Sequence, residues 1–226
     1  MNNSTIQQFN NKSGFLLVFE GIDGSGKTTQ IDLLTKYLIQ NHIPFEVISF
    51  PQYGKNEYAK KIYDYLSGKF GNISDVDPKE IAKLYASDRK TAREKILDWL
   101  ESGKLVIANR YISSSKAHLG ANLPDDKREE FIKWADDLEY ETNRMLREDL
   151  TILLNVDPKV GQKNSQGKNH PDIHEDNLVH LEQANKIFLQ LAKSNPNWYV
   201  VDCMDNGKMR PREEIQKDFM KILVNT

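Results

Sequence analysis

Eight consecutive residues near the start of the chain have the composition of a phosphate-binding loop. They run Gly21-Ile22-Asp23-Gly24-Ser25-Gly26-Lys27-Thr28 and match the pattern G-x-x-x-x-G-K-[ST] in full. Glycines let such a loop wrap tightly, so that its backbone N–H groups and the N-terminus of the next helix face an anion. Lys27 adds a mobile positive charge for the outer phosphates, and Thr28 adds a hydroxyl for Mg²⁺. The loop therefore predicts a site for ATP with Mg²⁺.

The segments around this loop supply the elements that the motif needs. The apolar run Phe15–Glu20 predicts a strand before it, and the amphipathic run Lys27–Gln40 predicts a helix after it. Similar runs alternate along the chain. The further predicted strands are Phe45–Phe50, Leu105–Asn109, Leu150–Val156 and Tyr199–Asp202. The further predicted helices are Asn56–Leu66, Pro78–Leu100, Pro124–Arg147, His174–Ala192 and Pro211–Leu223. This pattern is typical of an α/β fold, a three-layer α/β/α arrangement with five parallel strands surrounded by helices.

The pattern also predicts how the chain is divided. Residues 1–13 are rich in Asn and Gln, and we expect a flexible tail there. No repeat or interdomain linker interrupts the remainder, so residues 14–226 are expected to form a single domain. The low-complexity stretch Gly161–His170 lies between a strand and a helix and predicts a mobile loop.

Composition excludes several classes of function. The chain has 226 residues with 31 basic and 33 acidic side chains, a formal net charge of -2, so it has no overall basic field for a nucleic-acid polymer. Its apolar runs are too short to span a membrane, and its first residues do not have the pattern of a signal peptide. Cys203 is the single cysteine, which excludes an internal disulfide and is compatible with a cytoplasmic protein.

The loop alone does not identify the phosphate acceptor, because GTPases, ATPases and small-molecule kinases share it. The sequence has no Asn/Thr-Lys-x-Asp guanine motif after a strand, and it has no large second subdomain. A small-molecule kinase is therefore the leading class.

Four segments together resemble thymidylate kinases, the kinases that phosphorylate dTMP. They are Phe19–Gln30 around the phosphate loop, Phe50–Gly54, Leu84–Arg89 and Asn109–His118. They occur in the order and spacing of that family, and the resemblance extends from Phe15 to Asp202. It implies a phosphate-loop nucleoside monophosphate kinase that consumes ATP with Mg²⁺ and converts dTMP to dTDP.

The resemblance also implies roles for individual residues. Asp23 would hold the sugar 3′-hydroxyl, Tyr53 would pack against the deoxyribose, and Arg110 would bind the monophosphate. Tyr85 would stack on thymine, and Arg89 would bond its carbonyl. The same pocket would be lined by Phe50, Ser114, Ser115, His118 and Glu175.

The residues by themselves leave other interpretations open. Tyr85 and Arg89 are four apart on one helix face, which suits a base site but also a core tyrosine beside a surface arginine. Asp23 could be a turn former, and Arg110 could be a surface charge at the end of a strand. Ser114 and its neighbours could be a helix cap.

In thymidylate kinases the region at about 160–176 is a lid that closes over ATP, and many members supply an arginine there when the phosphate loop has none. Neither segment contains an arginine here. We therefore expect Lys168 or Lys163 to provide the charge, although the alternative is a solvated basic loop.

The chain departs from the family pattern at several positions. Asn109 and Asn155 end strands where the family often has aspartate, which weakens the attraction for Mg²⁺. Gln52 stands where some members have an arginine, and Leu119 stands where glutamine is frequent. These changes keep two alternatives open, namely a different nucleoside or nucleotide acceptor and a nucleotide-binding regulator. The resemblance further implies a homodimer.

Overall fold

Five apolar runs form one parallel sheet at the centre of the computed structural model, which describes residues 14–71, 76–165 and 177–225. The strands are β1 (Phe15–Glu20), β2 (Phe45–Ser49), β3 (Leu105–Asn109), β4 (Leu150–Asn155) and β5 (Trp198–Asp202). Their order across the sheet is β2-β3-β1-β4-β5, and every neighbouring pair is parallel. Because β1 is central, the residues that follow it lie at the middle of the carboxyl edge, where such sheets bind ligands.

Helices connect the strands and cover both faces. Within the described residues they are α1 (Lys27–Gln40), α2 (Glu57–Leu66), α3 (Pro78–Thr91), α4 (Arg93–Glu101), α5 (Ile112–Gly120), α6 (Asp125–Asp136), α7 (Pro158–Ser165), α8 (Leu178–Ser194) and α9 (Arg212–Asn225). A two-stranded antiparallel hairpin, β6 (Met204–Asp205) and β7 (Lys208–Met209), precedes α9. None of these helices is both long and apolar enough to cross a membrane.

Alternate side chains of β1 face opposite layers, which explains why the strand is apolar throughout. Phe19 packs toward α1 and α9, and its ring meets Phe219 edge to face at 5.5 Å between centroids. Leu16 and Val18 pack in a separate cluster with Ile96 of α4. The predicted three-layer fold with five parallel strands is confirmed.

The segment Pro78–Leu100 is two helices, so the prediction of one helix is wrong there. The break is at Ala92, whose N–H donates to the carbonyl of Arg89 at 2.9 Å and whose side chain is buried against the sheet. No glycine or proline marks this turn. Tertiary burial of Ala92 and Ile96 overrides the local helix preference.

The predicted helix Pro124–Arg147 also ends early. After α6 the chain widens into a π-helical turn, Asp137–Thr142, and residues 143–149 are not helical. The wider turn places Glu139 inside the protein, where it pairs with Arg89. π turns are often associated with functional sites.

The expectation of a loop over Gly161–His170 is wrong for its first half. Gly161 to Ser165 belong to α7, whose first turn is capped by Asp157 through the N–H of Lys159 at 2.8 Å. Gly161 serves close packing here, because a Cβ added to it would lie 2.7 Å from the carbonyl oxygen of Asp23. Residues 166–176 and the predicted tail 1–13 lie outside the described residues.

Candidate active site

The phosphate loop connects β1 to α1 with the geometry that the motif predicts. Gly26 is the N-cap of α1 and has φ 92°, a left-handed conformation that glycine adopts without strain. No side chain caps the helix, so its first N–H groups have no side-chain partner. An uncapped helix N-terminus of this kind favours a phosphate, since the N–H groups and the helix dipole both attract an anion.

Lys27 is folded back over the loop. Its Nζ donates to the carbonyl oxygens of Gly21 and Ile22 at 2.8 and 2.9 Å and lies 3.4 Å from Ser25 Oγ. Only 7 % of the residue is exposed. The ammonium is therefore held at the base of the loop, close to where the N–H groups of the loop and of α1 gather.

A cavity of about 700 Å³ opens beside the loop. Its lining includes the loop residues Asp23, Gly24 and Lys27, and it also includes Tyr53 and Arg110. The predicted nucleotide loop and part of the predicted acceptor pocket thus share one space.

Two side-chain oxygens in this cavity are suitable ligands for a hydrated Mg²⁺ that arrives with phosphates. Thr28 is exposed at the cavity wall, and Asn109 lines the same space with a buried Oδ1 that has no hydrogen-bond partner. Among the residues described, His, Cys, Asp and Glu side chains form no group of three that could enclose a metal. The donor set fits Mg²⁺ held chiefly by phosphates and water, which is the usual mode for this ion.

Arg110 and Asp23 form an ion pair that links the end of β3 to the phosphate loop. Arg110 adopts φ 65°, a left-handed conformation that costs a non-glycine residue about 1 kcal/mol or more. Burial alone would lower the pKa of Arg110, but the carboxylates of Asp23 and Glu20 raise it above its ordinary value. The guanidinium is therefore fixed as a cation at the cavity.

Glu20 organises the start of α5, a role that is not among the predictions made from the sequence. It is fully buried, and its Oε1 accepts the N–H groups of Tyr111 and Ser114 at 2.9 and 3.0 Å. Ser114 Oγ donates to Oε2 at 2.6 Å. Burial raises the pKa of Glu20 above its ordinary value, against the hydrogen bond from Ser114. A charged residue closing the apolar run Phe15–Glu20 was the available signal.

Arg89 lies in the protein interior with only 1 % exposure. Its Nε donates to Glu139 Oε1 at 2.9 Å, its Nη2 donates to the same oxygen and to Ser115 Oγ, and its Nη1 donates to the carbonyl of Tyr111. Burial alone would lower the pKa of Arg89, but Glu139 raises it above its ordinary value. The structure thus places Ser115 and Arg89 together, with Glu139 as a partner that no local pattern revealed.

The two predicted aromatic contacts differ in exposure. Tyr53 is 50 % exposed at the cavity, and its ring meets Tyr63 edge to face at 6.2 Å. Tyr85 is partly buried against the cluster around Ile62 and Phe131, near enough to Arg110 to contribute to its electrostatics. Phe50 is buried and lines the cavity.

Cations other than the predicted lysines line the cavity. Lys163 is exposed on α7, while its neighbour Asn164 donates to the carbonyl of Gly24 at 3.2 Å. Lys168 and Glu175 lie outside the described residues. Arg210 and Arg212, just after the hairpin, line the same cavity, and the carbonyl of Arg212 accepts a hydrogen bond from Gln30 of α1 at 3.0 Å. Sequence reasoning missed them, although two arginines directly after the last strands were a usable signal.

Three of the positions that depart from the family pattern have local partners here. The side-chain amide of Gln52 donates from Nε2 to the carbonyl oxygen of Asp88 at 2.8 Å. Asn155 Oδ1 accepts from Asn185 at 3.3 Å. Leu119 is buried in an apolar cluster. Each of these three replacements is thus accommodated by local packing or hydrogen bonding.

Comparisons with known proteins agree with this geometry. A family model described as thymidylate kinase matches residues 19–215. A thymidylate kinase of Carboxydothermus hydrogenoformans is 32% identical over 204 residues, covering 88% of this chain and 92% of the relative. One of Wolbachia pipientis is 34% identical over 182 residues, covering 80% and 82%.

A solved structure shares the fold at lower identity. Thymidylate kinase from Candida albicans superposes with a TM-score of 0.73 at 22% sequence identity, covering 93% of this chain and 91% of that one. Because the family model spans the phosphate loop, the sheet and the Arg110 segment together, the chain belongs to the thymidylate kinase family.

Proposed function

We propose that this protein is a thymidylate kinase that transfers the γ-phosphoryl group of ATP to dTMP, giving ADP and dTDP. One observation carries the proposal: the phosphate loop and Arg110 face the same cavity and are joined by the Asp23–Arg110 ion pair. A phosphoryl donor on the loop would therefore lie next to an acceptor phosphate on Arg110. Family membership supports this activity over the alternative acceptors and over a regulator without turnover.

The chemistry needs alignment and positive charge more than it needs a base. An oxygen of the dTMP phosphate is already anionic near neutral pH and attacks the γ-phosphorus, while the bond to the β–γ bridging oxygen breaks and ADP departs. Lys27 and the N–H groups of the loop bind the donor phosphates, and Arg110 aligns the acceptor. Charge spreads over the transferred group in the transition state, where fixed cations stabilise it most.

The remaining pocket residues are assigned by the same proposal. Asp23 would hold the 3′-hydroxyl, Tyr53 would pack against the sugar, and Tyr85 would stack on the base. The guanidinium of Arg89 has five N–H groups, and the contacts above use four of them: the one on Nε, both on Nη2 and one on Nη1. The second N–H of Nη1 would be available for a thymine carbonyl. Further contacts are proposed for Phe50, Ser114, Ser115, His118 and Glu175.

Mg²⁺ and the lid cation complete the proposal. Thr28 would hold Mg²⁺, with Asn109 as a neutral neighbour, and the ion when bound would neutralise phosphate charge. Lys168 would supply the cation of the lid. The family resemblance further supports a cytoplasmic homodimer that acts on small molecules, and the net charge of -2 supports the absence of a nucleic-acid polymer among its partners.

A coupled ADP-release assay tests the proposal. We expect turnover with dTMP to exceed that with dUMP, UMP, CMP and thymidine. A preference for thymidine over dTMP would contradict a monophosphate as the acceptor. Tight binding of ATP and dTMP without turnover would contradict catalytic activity. Light scattering of the purified protein tests the dimer.

A further inference from the structure

Two histidines extend the contacts of Arg110 into the protein interior. Arg110 Nη1 lies 3.1 Å from His118 Nε2, His118 Nδ1 lies 3.3 Å from His180 Nε2, and His180 Nδ1 lies 2.9 Å from Asn122 Oδ1. His118 belongs to α5, His180 to the first turn of α8, and Asn122 to the connection between α5 and α6. One row of hydrogen bonds therefore joins the end of β3 to three later elements. We name it the histidine row.

The donor at one end decides where every proton in the row lies. A guanidinium only donates, so Nε2 of His118 must accept. A neutral His118 then carries its proton on Nδ1 and donates to His180 Nε2. His180 in turn carries its proton on Nδ1, which requires Asn122 to present its oxygen. The observed placement of Asn122 Oδ1 agrees with this assignment.

The surroundings of the row favour neutral rings. His180 is only 4 % exposed, and its ring lies nearly parallel to that of His118, with an interplanar angle of 24° and 5.6 Å between centroids. The edge of Phe188 closes the other side of His118 at 5.8 Å. A proton added to either Nε2 would place two N–H groups against each other, so the row is stable only when both rings are neutral.

The row also determines the orientation of Arg110. Nη2 of the guanidinium pairs with Asp23, and Nη1 has two longer contacts, with Gly21 O at 3.4 Å and Ser114 Oγ at 3.3 Å. The contact with His118 is the shortest that Nη1 makes in the described structure. Without it, the position of the guanidinium would depend mainly on Asp23, a group of the phosphate loop.

We propose that His118 is a positioning residue for Arg110, and that His180 and Asn122 act through it by fixing its Nδ1–H tautomer. The inference rests on the proposed function in one respect, since it takes Arg110 as the group that binds the acceptor phosphate. It gives His118 a role through Arg110, in addition to the pocket contact proposed for it above. His180 and Asn122 then belong to the acceptor site although neither lines the cavity.

The tautomers are measured directly by long-range ¹H–¹⁵N NMR of the nucleotide-free protein labelled on histidine nitrogen. We expect both His118 and His180 to show the Nδ1–H tautomer, which is the less populated form of free histidine. Signals are assigned from the spectra of His118→Phe and His180→Phe. An Nε2–H tautomer or a cation at His118 at pH 7.5 would overturn the proposal.

Kinetics then separate positioning from packing. His180→Phe keeps an aromatic ring beside His118 and removes the acceptor for His118, so we expect KM for dTMP to rise about tenfold, the effect of weakening one hydrogen bond to a charged group. KM for ATP should stay within about twofold. His180→Gln returns an acceptor oxygen and should recover most of the loss. His42→Gln, at an exposed turn, is the matched control and should have no effect.

Each outcome has a defined meaning. Equal KM values for dTMP in His180→Phe and the unaltered protein would contradict the positioning role. A raised KM for dTMP in His180→Gln would also contradict it, provided that both variants give the thermal unfolding curve of the unaltered protein. The NMR measurement needs neither substrate nor a variant that is active. If the tautomers are as expected but dTMP is not phosphorylated, the proposed function fails while the histidine row stands.

Discussion

The carboxylate of Asp23 in the phosphate loop and the guanidinium of Arg110 after β3 are ion-paired across the chain, 87 residues apart. The pair joins the wall of the cavity that would hold the phosphoryl donor to the wall that would hold the acceptor. Neither side chain is fully enclosed, since each is 17% exposed. A phosphate can therefore reach Arg110, and a sugar hydroxyl can reach Asp23.

Arg110→Lys tests whether the planar shape of the guanidinium is needed. A lysine keeps the charge but cannot meet Asp23 and His118 at the same time. We expect kcat/KM for dTMP to fall about 100-fold, as for loss of an oriented donor at a reacting centre, with little change in ATP binding. Arg147→Lys, at an exposed pair with Glu141, is the control. Retention of full activity in R110K would contradict an orienting role.

Lys168→Ala and Lys163→Ala test the source of the lid cation. Lys163 is exposed on α7, so its removal should change kcat less than about twofold. Removal of Lys168 should lower kcat about tenfold or more if that charge meets the transferred group. Steady-state kinetics with saturating ATP and dTMP measure both. Unchanged kcat in the two variants would contradict a lysine as the source of the charge and would favour Arg210 and Arg212, which line the cavity.

Glu139→Gln tests the buried ion pair with Arg89. The two side chains are 3% and 1% exposed, and loss of one charge leaves the other uncompensated in the interior. We expect a decrease of about 3 kcal/mol in the free energy of unfolding, measured by urea titration. Glu141→Gln, two residues later, breaks a pair that is about 70% exposed and should cost less than about 0.5 kcal/mol. Equal decreases in the free energy of unfolding for the two variants would show that the buried pair stabilises the protein no more than the exposed pair.

The stability of the protein should fall in mildly acidic solution because of His180. Burial lowers its pKa in the folded protein to about 4, from an ordinary 6.5. Between these values the unfolded chain binds the proton and the folded one does not, so stability is greatest above pH 6.5 and declines as pH falls toward 4. The shift corresponds to at most about 3 kcal/mol. His180→Phe should flatten this part of the pH profile of unfolding, whereas His42→Gln should leave it unchanged.

Local patterns in the sequence account for the sheet and the phosphate loop. A continuous apolar strand such as Phe15–Glu20 is visible because both of its faces are buried, and the loop is visible because phosphate binding demands glycines and a lysine at set positions. The partners of Arg89 and His118 were not visible. Glu139 and His180 are 50 and 62 residues away, and each contact exists only once the helices pack. The turn at Ala92 was missed for the same reason, since tertiary burial determines it.

The close contact between Gly24 and Gly161 limits how this enzyme could change. A Cβ built on Gly24 would lie 2.0 Å from the carbonyl oxygen of Gly161, and one built on Gly161 would collide with the backbone of Asp23. An arginine at position 24 would add a cation to the phosphate loop, but this single substitution does not fit, because its Cβ would meet that carbonyl. The start of α7 would have to move first. A designer who introduces an arginine into the loop would therefore have to redesign the loop and the start of α7 together.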